Sequence, residues 1–87
     1  MAAVHLPSTL SPLFPGLGRH LDVEAATVSE ALDGLDARWP GLRDRLCEPG
    51  ADLRPHIHVY VDLERARLET AVGPGSRIDV IAAISGG

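Results

Sequence analysis

Apolar and polar residues alternate from His56 to Asp62: Ile57, Val59 and Val61 make one set, His56, His58, Tyr60 and Asp62 the other. A period of two puts successive side chains on opposite faces of an extended strand, so the first set is expected to face a core and the second to face outward. The same period returns at Arg77-Ile78-Asp79-Val80-Ile81, with Ile78 and Val80 inward and Arg77, Asp79 and Ile81 outward. A weaker alternation through Ala2-Ala3-Val4-His5-Leu6 stops at Pro7, and its inward residues are Val4 and Leu6. Another strand is expected near His20-Leu21-Asp22-Val23-Glu24. It pairs with the first as a hairpin across 8–18, where Pro12, Pro15, Gly16 and Gly18 predict a loop or wide turn.

After Val23 the period changes. Thr27-Val28-Ser29-Glu30 has capping-box spacing, in which the Thr27 hydroxyl and the Glu30 carboxylate each satisfy a backbone N–H that a helix start leaves unpaired. Val28, Ala31, Leu32, Leu35 and Trp39 then share one helical face until Pro40-Gly41 ends the pattern, which predicts about three turns. Leu42 and Leu46 suggest one more short turn before the loop Glu48-Pro49-Gly50-Ala51-Asp52. A turn and a short irregular strand around Arg67-Leu68-Glu69 lead through Gly73-Pro74-Gly75 to the final strand. One amphipathic helix can cover only one face of so small a sheet. The predicted fold class is therefore α+β, a ubiquitin-like β-grasp with a mixed sheet of four to five strands on one main helix.

Eighty-seven residues make a single domain, able to bury only about 60–65% of its unfolded surface. The expected division is a β-grasp body over 1–82 and a flexible tail over 83–87. An apolar fraction of 45% and a charged fraction of 23% are those of an ordinary globular chain, which argues against disorder. The formal charge of −4 argues against nucleic acid, because no basic stripe provides phosphate contacts. It suits docking on a basic protein surface. A single cysteine, Cys47, excludes an internal disulfide and fits a reducing compartment. The N-terminus lacks a signal-peptide pattern and no run reaches membrane-spanning length, so a cytoplasmic protein without a membrane partner is expected.

The chain ends in Ser85-Gly86-Gly87 directly after a predicted strand. Two glycines have no Cβ to collide with an enclosing tunnel, so an enzyme can close around them and treat the terminal carboxyl as a substrate. A frayed tail or a cloning scar gives the same ending.

The stretches Trp39-Pro40-Gly41-Leu42-Arg43-Asp44-Arg45-Leu46, Leu53-Arg54-Pro55-His56-Ile57-His58-Val59-Tyr60-Val61 and Arg77 through Gly87 resemble the MoaD/ThiS family of sulfur carriers. Leu6-Pro7-Ser8-Thr9-Leu10 and the Pro-Gly-Leu helix exit are closest to its CysO-like branch. Gly73-Pro74-Gly75-Ser76 and Val61-Asp62 depart from the Asp-Gly-Asp and Val-Asn common among relatives.

The resemblance implies that a ubiquitin-activating-type adenylyltransferase/sulfurtransferase uses ATP to convert the Gly87 carboxylate to an acyl-adenylate. A sulfur donor then displaces AMP, and the resulting thiocarboxylate passes sulfur to a biosynthetic enzyme. Cysteine, molybdopterin, thiamine and sulfur-containing natural products remain open as destinations. Ala83, Ile84, Ser85 and Gly86 would thread into the partner. The chain itself would be no enzyme, would bind no cofactor or metal, and would be a monomer when free.

A tail alone buries too little surface to hold a partner. If the two long strands pair, Tyr60 and Ile81, with Ala83, form an apolar centre bordered by Arg77, Asp79 and His58, a candidate docking patch. Scattered surface apolar residues give the same pattern. His56 and His58 are a possible metal pair, but zinc sites take three or four ligands, and a solvated strand face is the better reading. Cys47 reads as a packed thiol. Asp33, Asp36, Arg38, Arg43, Asp44 and Arg45 read as a solvated helix face. Two other classes stay open beside the carrier, a ubiquitin-like modifier conjugated through Gly87 and a β-grasp adaptor with an inert tail, and within the carrier class a molybdopterin synthase small subunit is the alternative.

Overall fold

The inward residues of each predicted strand meet in one core. The computed structural model, which describes residues 1–49 and 52–82, contains five strands: β1 (Ala2–His5), β2 (His20–Val23), β3 (Ile57–Val61), β4 (Glu64–Ala66) and β5 (Arg77–Ala82). Their order across the sheet is β2-β1-β5-β3-β4. β1 and β5 run parallel at the centre, and every other pairing is antiparallel. The parallel pair requires a long crossover, which contains α1 (Val28–Arg38) and α2 (Leu42–Leu46). This is the ubiquitin-like β-grasp, an α+β fold.

Val4, Ile78, Val59 and Val80 from the sheet pack with Val28, Ala31, Leu32 and Leu35 of α1 and Leu42 and Leu46 of α2. Val61 is only partly buried, because it sits at the end of β3. No polar or charged residue is buried among the described residues. Apolar burial is thus the main stabilising term for the body. No helix among those residues is long and apolar enough to cross a membrane.

The start of α1 follows the capping signal, with Thr27 as its N-cap. Glu30 N–H donates to Thr27 Oγ1 at 3.2 Å, and the Glu30 carboxylate reaches back to Ala26 N–H at 3.0 Å. The first turn gains two further acceptors, since Val28 N–H donates to Thr70 O and Ser29 N–H to Leu68 O. Residues 67–70 therefore cap a helix instead of forming the irregular strand expected there. β4 lies earlier, at Glu64–Ala66, because Asp62 and Leu63 both take positive φ, 49° and 74°. That is the primed two-residue turn whose twist closes a tight hairpin.

The segment 8–18 is not merely a loop. Ser8–Leu13 form a 3-10 helix, and Leu10, Phe14 and Leu17 enter the core. Its bonds from Leu10 N–H to Pro7 O and from Phe14 N–H to Ser11 O bracket Pro12, which has no N–H to donate. At the far end of α1, Gly41 takes φ 96°, a conformation open to glycine. This conformation turns the chain directly into α2.

The charged residues of the helical layer do more than face solvent. Asp36 Oδ1 accepts from Gly41 N–H and Arg43 N–H, satisfying the start of α2. The Arg43 guanidinium donates to Ser29 O at 2.9 Å, Ser29 Oγ at 3.1 Å and Asp33 Oδ1 at 3.0 Å, tying α2 to α1. Arg54 donates through Nε and Nη2 to Asp44 O. Helical spacing alone could not reveal these ties, because they join residues up to fourteen positions apart.

Candidate functional site

Alternate residues of the same strands face away from the helices and line up in rows. His20 opposes His5, His5 opposes Asp79, Asp79 opposes Tyr60 and Tyr60 opposes Arg65. One row thus crosses all five strands. The His5 and His20 rings stack with centroids 4.2 Å apart. His5 Nδ1 lies 3.9 Å from Asp79 Oδ1. Arg77 Nε donates to both Asp79 carboxylate oxygens, at 3.0 and 2.9 Å. The Arg65 guanidinium lies 6.0 Å from the Tyr60 ring centroid, within reach of a cation–π attraction.

All four members of the sequence-predicted docking patch, Tyr60, Ile81, Arg77 and His58, come to this face. His58 is directly opposite Ile81 across the β3–β5 pair, and Ile81 is 47% exposed. The centre of the face is nevertheless polar, because Asp79, held by Arg77, lies directly opposite Tyr60 and precedes Ile81 on the same face of β5. Ile81 is an apolar flank to that row. Ala83, with the other sequence-predicted tail residues Ile84, Ser85, Gly86 and Gly87, lies outside the described residues.

Sequence reasoning passed over His5, His20 and Leu63. The parallel β1–β5 register, which no local pattern signals, brings His5 beside Asp79, and the antiparallel β1–β2 register then adds His20 beside His5. Leu63 had a legible signal: it occupies the second place of a turn where glycine is the ordinary choice. Its side chain is 79% exposed, so it contributes little to the core while holding a left-handed backbone. Together these residues line a concavity of about 1010 Å³ that includes Tyr60, Arg77, Asp79 and Ala82.

His56 and His58 part company. β3 begins at Ile57, so His56 precedes it and lines a smaller concavity of about 390 Å³ beside Ile57, Leu46 and Ala82. No group of three or more His, Cys, Asp or Glu among the described residues is placed to hold a metal. Cys47 is buried, and that burial pushes its thiol above the ordinary range more than Arg43 pulls it down. A thiol kept protonated is a poor nucleophile.

The arrangement presents a polar-centred outer face that continues along β5 to Ala82, the last described residue. Known proteins share the fold. The ThiS family model matches residues 13–87. The sulfur carrier protein CysO of Mycobacterium tuberculosis is 27% identical over 90 aligned positions, covering 97% of this chain and 96% of that protein. Small archaeal modifier protein 1 of Haloferax volcanii is 35% identical over 68 positions, 77% of this chain and 78% of that protein. The crystal structure of the Amycolatopsis orientalis BexX/CysO complex contains a chain that superposes with a TM-score of 0.87 at 28% identity, each chain covered completely.

Proposed function

The chain belongs to the ThiS family, and on that premise we propose that it is a sulfur carrier whose Gly87 carboxylate is activated and converted to a thiocarboxylate by a partner enzyme. The observation that carries this reading is the full-length likeness to CysO chains, with a family match that runs through the terminal diglycine.

A carboxylate is a poor electrophile. Attack of a Gly87 oxygen on the α-phosphate of ATP releases pyrophosphate and leaves an acyl-adenylate. A sulfur nucleophile then adds to the carbonyl carbon and expels AMP. The new C-terminal sulfur is anionic at neutral pH and nucleophilic, as thiolates are. It attacks the acceptor in the next enzyme. Every catalytic group belongs to the partners, and the ATP is bound by the adenylyltransferase. This chain contributes the reacting carboxyl, a narrow tail and a docking face.

Extended, the five residues after Ala82 reach roughly 17 Å, enough to enter a deep pocket while the body stays outside. The body then docks by its outer face, with Tyr60, Ile81 and Leu63 as apolar contacts beside His58 and Arg77. A second reading is favoured by the 35% identity to small archaeal modifier protein 1: conjugation of Gly87 to amines on other proteins. The chain has no lysine, so as a modifier it could not extend chains through its own side chains.

Intact-mass analysis after incubation with the activating enzyme, ATP and sulfide separates the readings. Replacement of one terminal oxygen by sulfur supports the carrier, and covalent adducts on other proteins support the modifier. Deleting Gly87, or adding a residue after it, is expected to abolish loading while circular dichroism shows an unchanged fold. Undiminished loading in either variant overturns the proposal.

A further inference from the structure

Ala82 sits where two surface concavities meet. The larger opens on the outer face of the sheet and the smaller on the helix side, and Pro7, Thr9 and Ala82 line both. The formally charged side chains around them are Arg19, Arg77 and Asp79 on one side and Arg45 and Arg54 on the other. Four arginines therefore stand against one aspartate, on a chain whose net charge is −4. Asp79 is already held by Arg77. His5, His20 and His56 line the same concavities, and His58 lies one strand over from Ile81. All four histidines of the chain thus gather at the sheet end where the tail begins. The other eleven of its twelve acidic residues line neither hollow.

Arg54 is anchored on the Asp44 carbonyl. Arg19 and Arg45 are exposed and enter no ion pair among the described residues. They flank the tail root on opposite sides. A hollow lined by one sign of charge focuses the field and accelerates encounter with an opposite charge.

We infer that the root of the tail is a cationic collar that docks on an acidic rim of the protein enclosing the tail, although the net charge of the chain points to a basic partner. The inference rests on the carrier reading only for the identity of that protein. The collar orients the body as the tail enters and raises the rate of encounter. It leaves the chemistry at Gly87 untouched.

Two experiments test it. In the first, isotope-labelled full-length protein is titrated with hexaglutamate, with hexalysine and with a short oligothymidylate at low ionic strength. Amide shifts clustered at Arg19, Arg45, Arg54, His56 and Ala82 with hexaglutamate, absent with hexalysine and erased by high salt, are the expected result. Hexalysine at the collar, or oligothymidylate binding tighter than hexaglutamate, overturns the inference. So does hexaglutamate binding that appears only when Gly87 is amidated, because the chain's own carboxylate is then the occupant.

In the second, sulfur loading is followed with the activating enzyme. Arg19→Glu and Arg45→Glu are each expected to lower kcat/KM several-fold at low salt, with kcat unchanged and the difference lost at high salt. Faster loading by either variant, or a loss confined to kcat, refutes the collar. Neither peptide titration requires activation of Gly87. A protein that binds hexaglutamate at the collar but never loads sulfur therefore refutes the carrier reading alone, and one that loads but ignores the peptide refutes the collar alone.

Discussion

Ile78 and Ile81 are the same residue type on the same strand, yet Ile78 is fully buried against the helices and Ile81 is 47% exposed on the outer face. The contrast holds for the whole sheet. Its helix-side face is apolar from Val23 to Ala66, whereas its outer face carries His20, His5, Asp79, Tyr60 and Arg65 in one row. The first face has a packing partner within the chain, so its composition is dictated by folding. Among the described residues no helix covers the second, so folding leaves its composition free.

Substituting each isoleucine is the sharpest way to break that contrast. Ile78→Ala is expected to cost about 2–5 kcal/mol through lost burial and a cavity, and Ile81→Ala to change stability by no more than about 0.5 kcal/mol. Urea unfolding measures both. Equal losses would mean that the outer face belongs to the core. Conversely, Ile81→Ala should weaken association with an activating enzyme that Ile78→Val leaves intact.

The helical layer offers the next largest effect. Thr27→Ala removes the hydroxyl that caps α1 and is expected to destabilise by about 1 kcal/mol, lowering the urea midpoint. A negligible change would show that the Leu68 and Thr70 carbonyls, together with Glu30, suffice to hold that end.

Leu63 sharpens the contrast in the opposite direction. Its left-handed backbone carries a steric penalty of about 1 kcal/mol that glycine avoids, offset in part by the greater freedom of glycine in the unfolded chain. Leu63→Gly is therefore expected to raise the unfolding midpoint slightly while weakening docking. A variant that is both more stable and equally competent in loading would remove Leu63 from the docking face.

The smallest effect concerns Cys47. Burial holds its proton to higher pH in the folded state than in the unfolded chain. The stability tied to this group is complete below the ordinary thiol range and declines as pH rises through that range, where only the unfolded chain ionises. Reaction with a disulfide reagent at mildly alkaline pH should be slower in native protein than in urea-unfolded protein. Equal rates would show the thiol to be accessible.

Much of this was legible before any coordinates. The alternation at Ile57, Val59, Ile78 and Val80 marked the core face, because side-chain direction in a strand depends only on position along it. Thr27 and Glu30 announced the start of α1, because capping joins residues three apart. Tyr60, Ile81, Arg77 and His58 followed from the same period, read for its outward set. The core role of Leu10, Phe14 and Leu17 was hidden by the prolines and glycine around them. The strand placed at Arg67-Leu68-Glu69 failed because the carbonyls there serve a helix far away in sequence.

Local order, then, is what the amino-acid sequence by itself determined: which residues point inward, where the main helix starts, and that a diglycine follows the last strand. The tertiary structure alone decided that His5 lies against Asp79 and that Arg19, Arg45 and Arg54 line two concavities that meet at Ala82. These neighbours come from the parallel β1–β5 pairing and from the packing of α2 near the sheet end. Such contacts join segments tens of residues apart, and they are selected by the free energy of the whole core, which no short window of sequence contains.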